Sequence, residues 1–162
     1  MEILTADICD EYASEVEVAE PLFRHFSGNK RFHGSAVTLK VHEDNVLVAD
    51  AVSTPGEGRI LVVDGGGSNR CALLGGRLAA LAADNGWSGV IINGCVRDSA
   101  EIAELGTGIL AIATHPQKSR KNGDGQKGGS VSFAGVTIRP GDYLYVDEDG
   151  LLVAHQALHK ES

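Results

Sequence analysis

ILVVDGGGSNRCALLGGRLAALAADNGWSGVIINGCVRDSAEIAELGTGILAIA, residues 60–113, alternates short apolar runs with glycine-punctuated helical segments. Ile60–Asp64 is an unbroken apolar run of the kind found in a strand buried on both faces. Gly65–Gly67 breaks it. A helix is predicted from Gly76 to Asn85, with Leu78, Leu81 and Ala82 on one face and Gly86 past its C-terminus. Gly89–Asn93 reads as a second buried strand closed by Gly94, Ser99–Leu105 as a short helix capped by Ser99, and Gly108–Ala113 as a third strand. Strand–helix–strand–helix–strand order implies parallel pairing with right-handed crossovers.

Outward from this segment the signals are weaker. Thr5 to about Val18 reads as a helix with Thr5 as N-cap. Gly34–Val41 reads as a strand, and Asn45–Val52 fits either a strand or a short helix. Lys118–Gly129 is a glycine-rich polar loop. Beyond it, Ser130–Phe133, Val136–Ile138, Asp142–Val146 and Leu151–Ala154 are short β-like pieces. The expectation is one α/β domain spanning residues 1–162, with a partly parallel central sheet and additional C-terminal β structure.

Composition narrows the function. A 162-residue chain with 43% hydrophobic residues can bury a sizeable core, and its formal net charge of −8 disfavours contact with a phosphate backbone. No direct nucleic-acid partner is expected. Cys9, Cys71 and Cys95 are odd in number and lack CxxC spacing, so neither a disulfide framework nor a zinc knuckle is indicated. MEILTADICDEY has neither a basic nor an apolar leader segment, and no apolar run reaches the roughly 18 residues of a membrane span. A reducing, cytoplasmic setting is expected, with no membrane contact.

Chemistry is best sought where strands end in polar, glycine-rich turns. Asp64–Arg70 (DGGGSNR) lacks the last glycine of a dinucleotide fingerprint and the GK[ST] of a phosphate loop, which makes it a tight structural turn. Gly94–Glu101 (GCVRDSAE) puts Arg97 beside Asp98 at a strand end. The bland explanation is a local ion pair or a helix-terminal charge. Gly75 and Gly76 open the preceding helix, whose first-turn N–H groups can take an anion. Close helix–sheet packing would explain the pair equally well. Taken together, amides for a carboxylate, a guanidinium for a carbonyl oxygen and a carboxylate for a cation suit a metal-bound 2-oxo acid.

Other residues fit less. Six histidines (25, 33, 42, 115, 155, 159) show no HxH or HExxH spacing, and no serine lies in GxSxG. Lys40 could form a Schiff base, but a strand lysine ordinarily faces solvent. His115, in ATHPQKS, could accept a phosphoryl group or be an ordinary loop histidine. Lys118, Arg120, Lys121 and Lys127 read as a solvated loop.

At these residues the sequence resembles the family that unites the regulator of ribonuclease activity A proteins with the class II 4-hydroxy-4-methyl-2-oxoglutarate aldolases. The resemblance runs from DICDEY (7–12) through Ala19–Phe23 and VVDGGGSNR (62–70) to GDYLYVDEDG (141–150). The aldolase signature of that family is Gly, twenty residues, Arg-Asp, two residues, then an acid. Here it reads Gly76, Arg97-Asp98 and Glu101. The resemblance implies a β/β/α swivelling-type fold assembled as a homotrimer with sites at subunit interfaces. It further implies that the amides of Gly75, Gly76, Arg77 and Leu78 cradle the carboxylate of a small 2-oxo acid. Arg97 would contact the carbonyl or enolate oxygen, and Asp98 would hold Mg²⁺ or Mn²⁺ partly through water, with Glu101 in the outer shell. Aldol cleavage to pyruvate and oxaloacetate decarboxylation are the implied activities. The regulator branch instead inhibits an endoribonuclease, and its members commonly replace the residue at position 98. Asp98 is kept here, which favours the enzyme over a ribonuclease-binding partner.

Overall fold

The computed structural model describes residues 2–160. Its centre is the parallel set β3 (Phe32–Lys40), β4 (Ile60–Asp64), β6 (Gly89–Val96) and β7 (Gly108–Thr114), adjacent in that order. Antiparallel strands extend both sides. β11 (Tyr143–Asp147) pairs with β3, β12 (Gly150–Ala154) with β11, β1 (Val16–Val18) with β12, and β2 (Arg24–His25) with β7. Two short strands lie beside this path, β5 (Ala72–Leu74) on β6 and β8 (Gln126–Lys127) on β3. The hairpin β9 (Val131–Phe133) and β10 (Val136–Ile138) forms a separate small sheet. The fold is thus mixed α/β with a partly parallel sheet and added C-terminal β structure.

The unbroken apolar runs follow from the sheet's two covered faces. Alternate residues of a strand point to opposite sides. Leu61 and Val63 join the core beneath α2 (Val46–Val52) and α3 (Gly76–Asp84), with Val48, Val52, Leu78, Ala79 and Ala82. Ile60 and Val62 join the opposite core, built with Val131, Phe133, Val136 and Ile138 of the hairpin and Leu144 and Val146 of β11. No helix among the described residues is long and apolar enough to cross a membrane.

Several elements differ from the sequence expectation. α1 (Thr5–Glu11) stops seven residues before Val18; a 3₁₀ turn follows, and Val16–Val18 pairs with β12 instead. The β-branched residues at 16 and 18 suit that edge, and ladder pairing outweighs helix continuation. Thr5 lies inside the helix rather than at its cap. Its N–H and hydroxyl both donate to the buried Asp147 carboxylate at 2.7 Å. β6 does not close at Gly94 but continues to Val96, because β5 docks alongside it (Ala72 opposite Cys95, Leu74 opposite Val96). α4 (Ser99–Ile102) is shorter than expected, and Asp98, not Ser99, occupies its N-cap position. Asn45–Val52 resolves as a helix beginning at Val46.

The loop 118–129 is also more ordered than its composition suggests. Asp44 is 1% exposed. Its carboxylate accepts the N–H groups of Val46, Asn122, Gly123 and Asp124 at 2.7 to 3.4 Å. Burial alone would push this carboxyl up, but the four backbone donors together outweigh it and hold the group below its ordinary value.

Two outcomes follow. A Cβ at Gly108 would run into the Phe32 ring, which lies across both Gly89 and Gly108. Gly108→Ala should cost about 1–3 kcal/mol, read as a lower urea midpoint at unchanged slope, and Phe32→Leu should recover part of it. Asp44 titrates lower folded than unfolded, where the value is about 3.9. Its stabilisation is therefore complete above that value and fades as pH falls through the folded one. The stability gap between wild type and Asp44→Ala should be full at pH 7 and shrink below about pH 4, with amide exchange at 122–124 accelerated in the variant.

Candidate active site

The carboxyl edge of the parallel strands collects five turns: 41–45 after β3, 65–71 after β4, 75–76 after β5, 97–98 after β6 and 115–120 after β7. Two of them are structural. Asp64 Oδ1 accepts from Gly66 N and Asn93 Nδ2, both at 3.0 Å, while Gly65 and Gly67 donate to the Asn93 carbonyl. DGGGSNR is therefore the tight turn its sequence suggested. Glu43 anchors its far end, accepting from Ser68 Oγ at 2.7 Å and Arg70 Nε at 2.6 Å. The Ser68 hydroxyl and the Arg70 guanidinium hold Glu43 below the usual carboxylate range.

The turns at 75–76 and 97–98 meet. Arg97 N–H donates to the Leu74 carbonyl at 3.0 Å, extending the β5–β6 contact by one residue. Gly76 N–H donates to Asp98 Oδ2, also at 3.0 Å. A Cβ built on Gly75 would lie 2.9 Å from Asp98 Oδ2 and 3.5 Å from Arg97 Cγ and Nε, and one on Gly76 would collide with the Glu101 carboxylate. The glycine pair therefore does more than seat a helix on a sheet. It lets the Arg97–Asp98–Glu101 turn close against the N-terminus of α3.

The ion-pair explanation of Arg97 and Asp98 does not hold, and Asp98 carries its charge to the first turn of α3 rather than capping α4. Asp98 makes no side-chain cap to α4, although it occupies the N-cap position, and its backbone is left-handed at φ 59°. A non-glycine residue in that region stores strain that its surroundings must hold. Arg97 forms no ion pair with a carboxylate among the described residues; its Nη1 reaches the Pro116 carbonyl at 3.5 Å. Asp98 and Glu101 are exposed, Arg97 is half-buried, and the Arg77 side chain faces solvent. Leu78 is packed in the core, so it can offer a ligand only its main chain.

The third wall was not foreseen. His115 N–H donates to the Val96 carbonyl at 2.9 Å, and Ala72 N–H donates to the Gln117 carbonyl at 2.8 Å, so residues 115–118 border both β6 and β5. No local pattern signals this, because the contact depends on where the loop crosses. Lys40 sits exposed at the end of β3, paired to Gln126 of β8 on one side and Asp64 of β4 on the other. Burial pushes the Cys71 and Cys95 thiols up, so neither offers a ready thiolate. A cavity of about 670 Å³ lies elsewhere, between α1 and the C-terminal segment, lined by Tyr12, His33 and His159 among others. In a single chain the 75–76/97–98 site is an open edge.

No group of three or more His, Cys, Asp or Glu side chains among the described residues is arranged to hold a metal. The two acids that lie against Gly76, Asp98 and Glu101, do fit a hard divalent cation. Mg²⁺ keeps several waters and needs only one or two carboxylates, whereas an ion that prefers histidine and thiolate finds no cluster of them among the described residues.

Comparison with known proteins agrees with the fold and the family resemblance. The family model described as RraA-like, Aldolase/RraA, matches residues 5–153. A protein of Alkalilimnicola ehrlichii, provisionally named 4-hydroxy-4-methyl-2-oxoglutarate aldolase, is 56% identical over 158 residues, covering 98% of each chain. The RNA-processing inhibitor RraA from Thermus thermophilis superposes with a TM-score of 0.94 at 45% identity, covering 98% of this chain and 96% of that one. A Geobacillus kaustophilus protein described as an S-adenosylmethionine:2-dimethylmenaquinone methyltransferase superposes at 0.95, with 47% identity over 99% and 100% of the two chains. By family model, identity and fold alike, this chain belongs to the RraA-like aldolase family.

Proposed function

We propose that the chain is a divalent-metal-dependent lyase that cleaves 4-hydroxy-4-methyl-2-oxoglutarate-type 4-hydroxy-2-oxo acids to pyruvate, and that decarboxylates oxaloacetate. The observation that carries this reading is the closure of Gly75–Gly76 onto Arg97–Asp98, which gathers anion-binding amides, a guanidinium and an acid within one turn of each other.

The first turn of α3 supplies N–H groups without helical partners. Asp98 takes that of Gly76, and those of Arg77 and Leu78 remain for the substrate's 1-carboxylate, favoured by the positive end of the helix. Arg97 then donates to the 2-oxo oxygen. In aldol cleavage the C3–C4 bond breaks, its electron pair moves toward that oxygen, and the 4-hydroxyl gives its proton to water as the second carbonyl forms. In oxaloacetate the same bond breaks and carbon dioxide leaves. Both routes give the pyruvate enolate, whose oxygen keeps its hydrogen bond to Arg97 until C3 is protonated. Arg97 acts where negative charge develops, which is where a fixed donor lowers a barrier. Asp98 and Glu101 would hold the cation, which when bound supplies Lewis-acid polarisation of the 2-oxo group. Fixing Asp98 in a left-handed conformation keeps its carboxylate beside Gly76 rather than on α4. A homotrimer, with each open edge covered by a neighbouring subunit, is part of the proposal.

A second reading, a ribonuclease-binding regulator, is favoured by the likeness to the Thermus inhibitor. Substitution separates the two. Asp98→Asn keeps the side-chain shape, so the protein should fold and assemble as wild type while both lyase activities collapse; chelator should do the same, reversed by Mg²⁺ or Mn²⁺. Full turnover in excess chelator overturns the metal-dependent reading. Ribonuclease inhibition indifferent to both treatments, without pyruvate release from any 2-oxo acid, establishes the regulator.

Arg97→Lys tests the guanidinium. An ammonium cannot reproduce its planar donor set, and a loss on the order of 10²-fold or more in kcat is expected. Near-wild-type kcat would return Arg97 to a structural role.

A further inference from the structure

His115 is the histidine that the fold brings to this edge. The β6–β7 register sets Val96 opposite Thr114, so the next residues along, Arg97 and His115, stand side by side at the strand ends. The bond from His115 N–H to the Val96 carbonyl continues that register, and both side chains are half-buried. Gly75 packs against the stem of Arg97, while the Arg97 guanidinium reaches the carbonyl of Pro116, the residue after His115. Arg97 thus lies between the α3 amides and the His115 turn.

The ring is oriented. His115 Nδ1 accepts the Gln117 backbone N–H at 3.1 Å. An imidazole nitrogen that accepts is unprotonated, so the neutral ring carries its proton on Nε2 and offers one donor there. Neither Nε2 nor its proton is used within the chain among the described hydrogen bonds. A substrate with its 1-carboxylate on α3 and its 2-oxo oxygen on Arg97 must extend its remaining carbons away from Gly75. The His115 turn lies on that side.

We propose that His115 is a specificity-determining residue of the lyase site, its Nε2–H binding the second carboxylate of a dicarboxylic 2-oxo acid. The assignment rests on the lyase reading given above. A donor to a charged oxygen is worth more than one to a neutral group, so the preference falls on dianionic substrates over their monocarboxylic analogues. This gives the bound histidine a use that needs no phosphoryl chemistry.

Two variants isolate the donor. His115→Asn keeps an acceptor for Gln117 N–H but removes the donor beyond it. His115→Gln restores an amide N–H near the Nε2 position. Steady-state kinetics would be measured with oxaloacetate and with 4-hydroxy-2-oxopentanoate, which has one carboxylate. His115→Asn should raise KM for oxaloacetate by roughly tenfold, the equivalent of 1.4 kcal/mol, with kcat much less affected. KM for the monocarboxylic substrate should stay within about twofold, and His115→Gln should recover most of the oxaloacetate affinity. Unchanged KM in His115→Asn, or an equal loss on both substrates, overturns the assignment while leaving the lyase standing. Wild-type protein that releases pyruvate from neither substrate nor from 4-hydroxy-4-methyl-2-oxoglutarate overturns the lyase reading, and the His115 role with it.

Discussion

The Gly76 N–H reaches Asp98 Oδ2 across 3.0 Å, and it can do so because neither Gly75 nor Gly76 carries a Cβ. The placing of the candidate site rests on that close approach. It turns the Asp98 carboxylate to α3 rather than α4, sets the Arg97 stem against Gly75 and brings the Glu101 carboxylate over Gly76. Any larger residue at 75 would push first on the acid that the proposed chemistry requires. The signature spacing of Gly76 to Arg97-Asp98 to Glu101 therefore has a geometric content. Twenty residues take the chain through α3 and back up β6, so that its two ends meet at one sheet edge.

The edge is held from below by a sheet covered on both faces. Each parallel strand feeds two cores, which leaves its ends little freedom to shift. The walls are held separately, by buried acids. Asp64 ties the glycine turn to β6, and Asp44 fastens the long polar loop to the N-terminus of α2. A buried carboxylate satisfied by several backbone donors makes a directional fastening, since each bond fixes one amide's direction as well as its distance. A loop of glycine, lysine and asparagine has no apolar side chains to pack, so such fastening is the means available to it.

The parallel centre was legible because its signals were local. Ile60–Asp64 was read to the residue, and the α3 helix with Gly86 beyond it differed by one. Elements fixed by distant partners were not legible. Val16–Val18 looked helical in continuation of α1, and only β12, over a hundred residues away, makes it a strand. β5 is three residues long and exists through its pairing with β6. At the site, Gly75, Gly76, Arg97, Asp98 and Glu101 could all be picked out as strand-end residues or by family resemblance. What the sequence could not show was their geometry, in which Asp98 bonds across to Gly76 and leaves α4 without a side-chain cap. The Asp44 fastening and the His115 wall depend on where a loop crosses, which composition does not encode.

Charge raises a last question, since a chain of net charge −8 is proposed to take anionic substrates. The total matters less than its placement. At physiological ionic strength the screening length is about 8 Å, so a substrate arriving at this edge senses the residues around it rather than the whole surface. Those residues include Arg77 and Arg97, with Arg70 at the end of the glycine turn and Lys118 bridged to Ala72. Arg70 is partly spent on Glu43, and Asp98 and Glu101 oppose the rest. A bound divalent cation would change that sum, turning the two acids from a repulsive pair into ligands. In the proposed lyase the edge would become more cationic on loading, so metal binding and attraction of a 2-oxo acid would be coupled through the same two carboxylates.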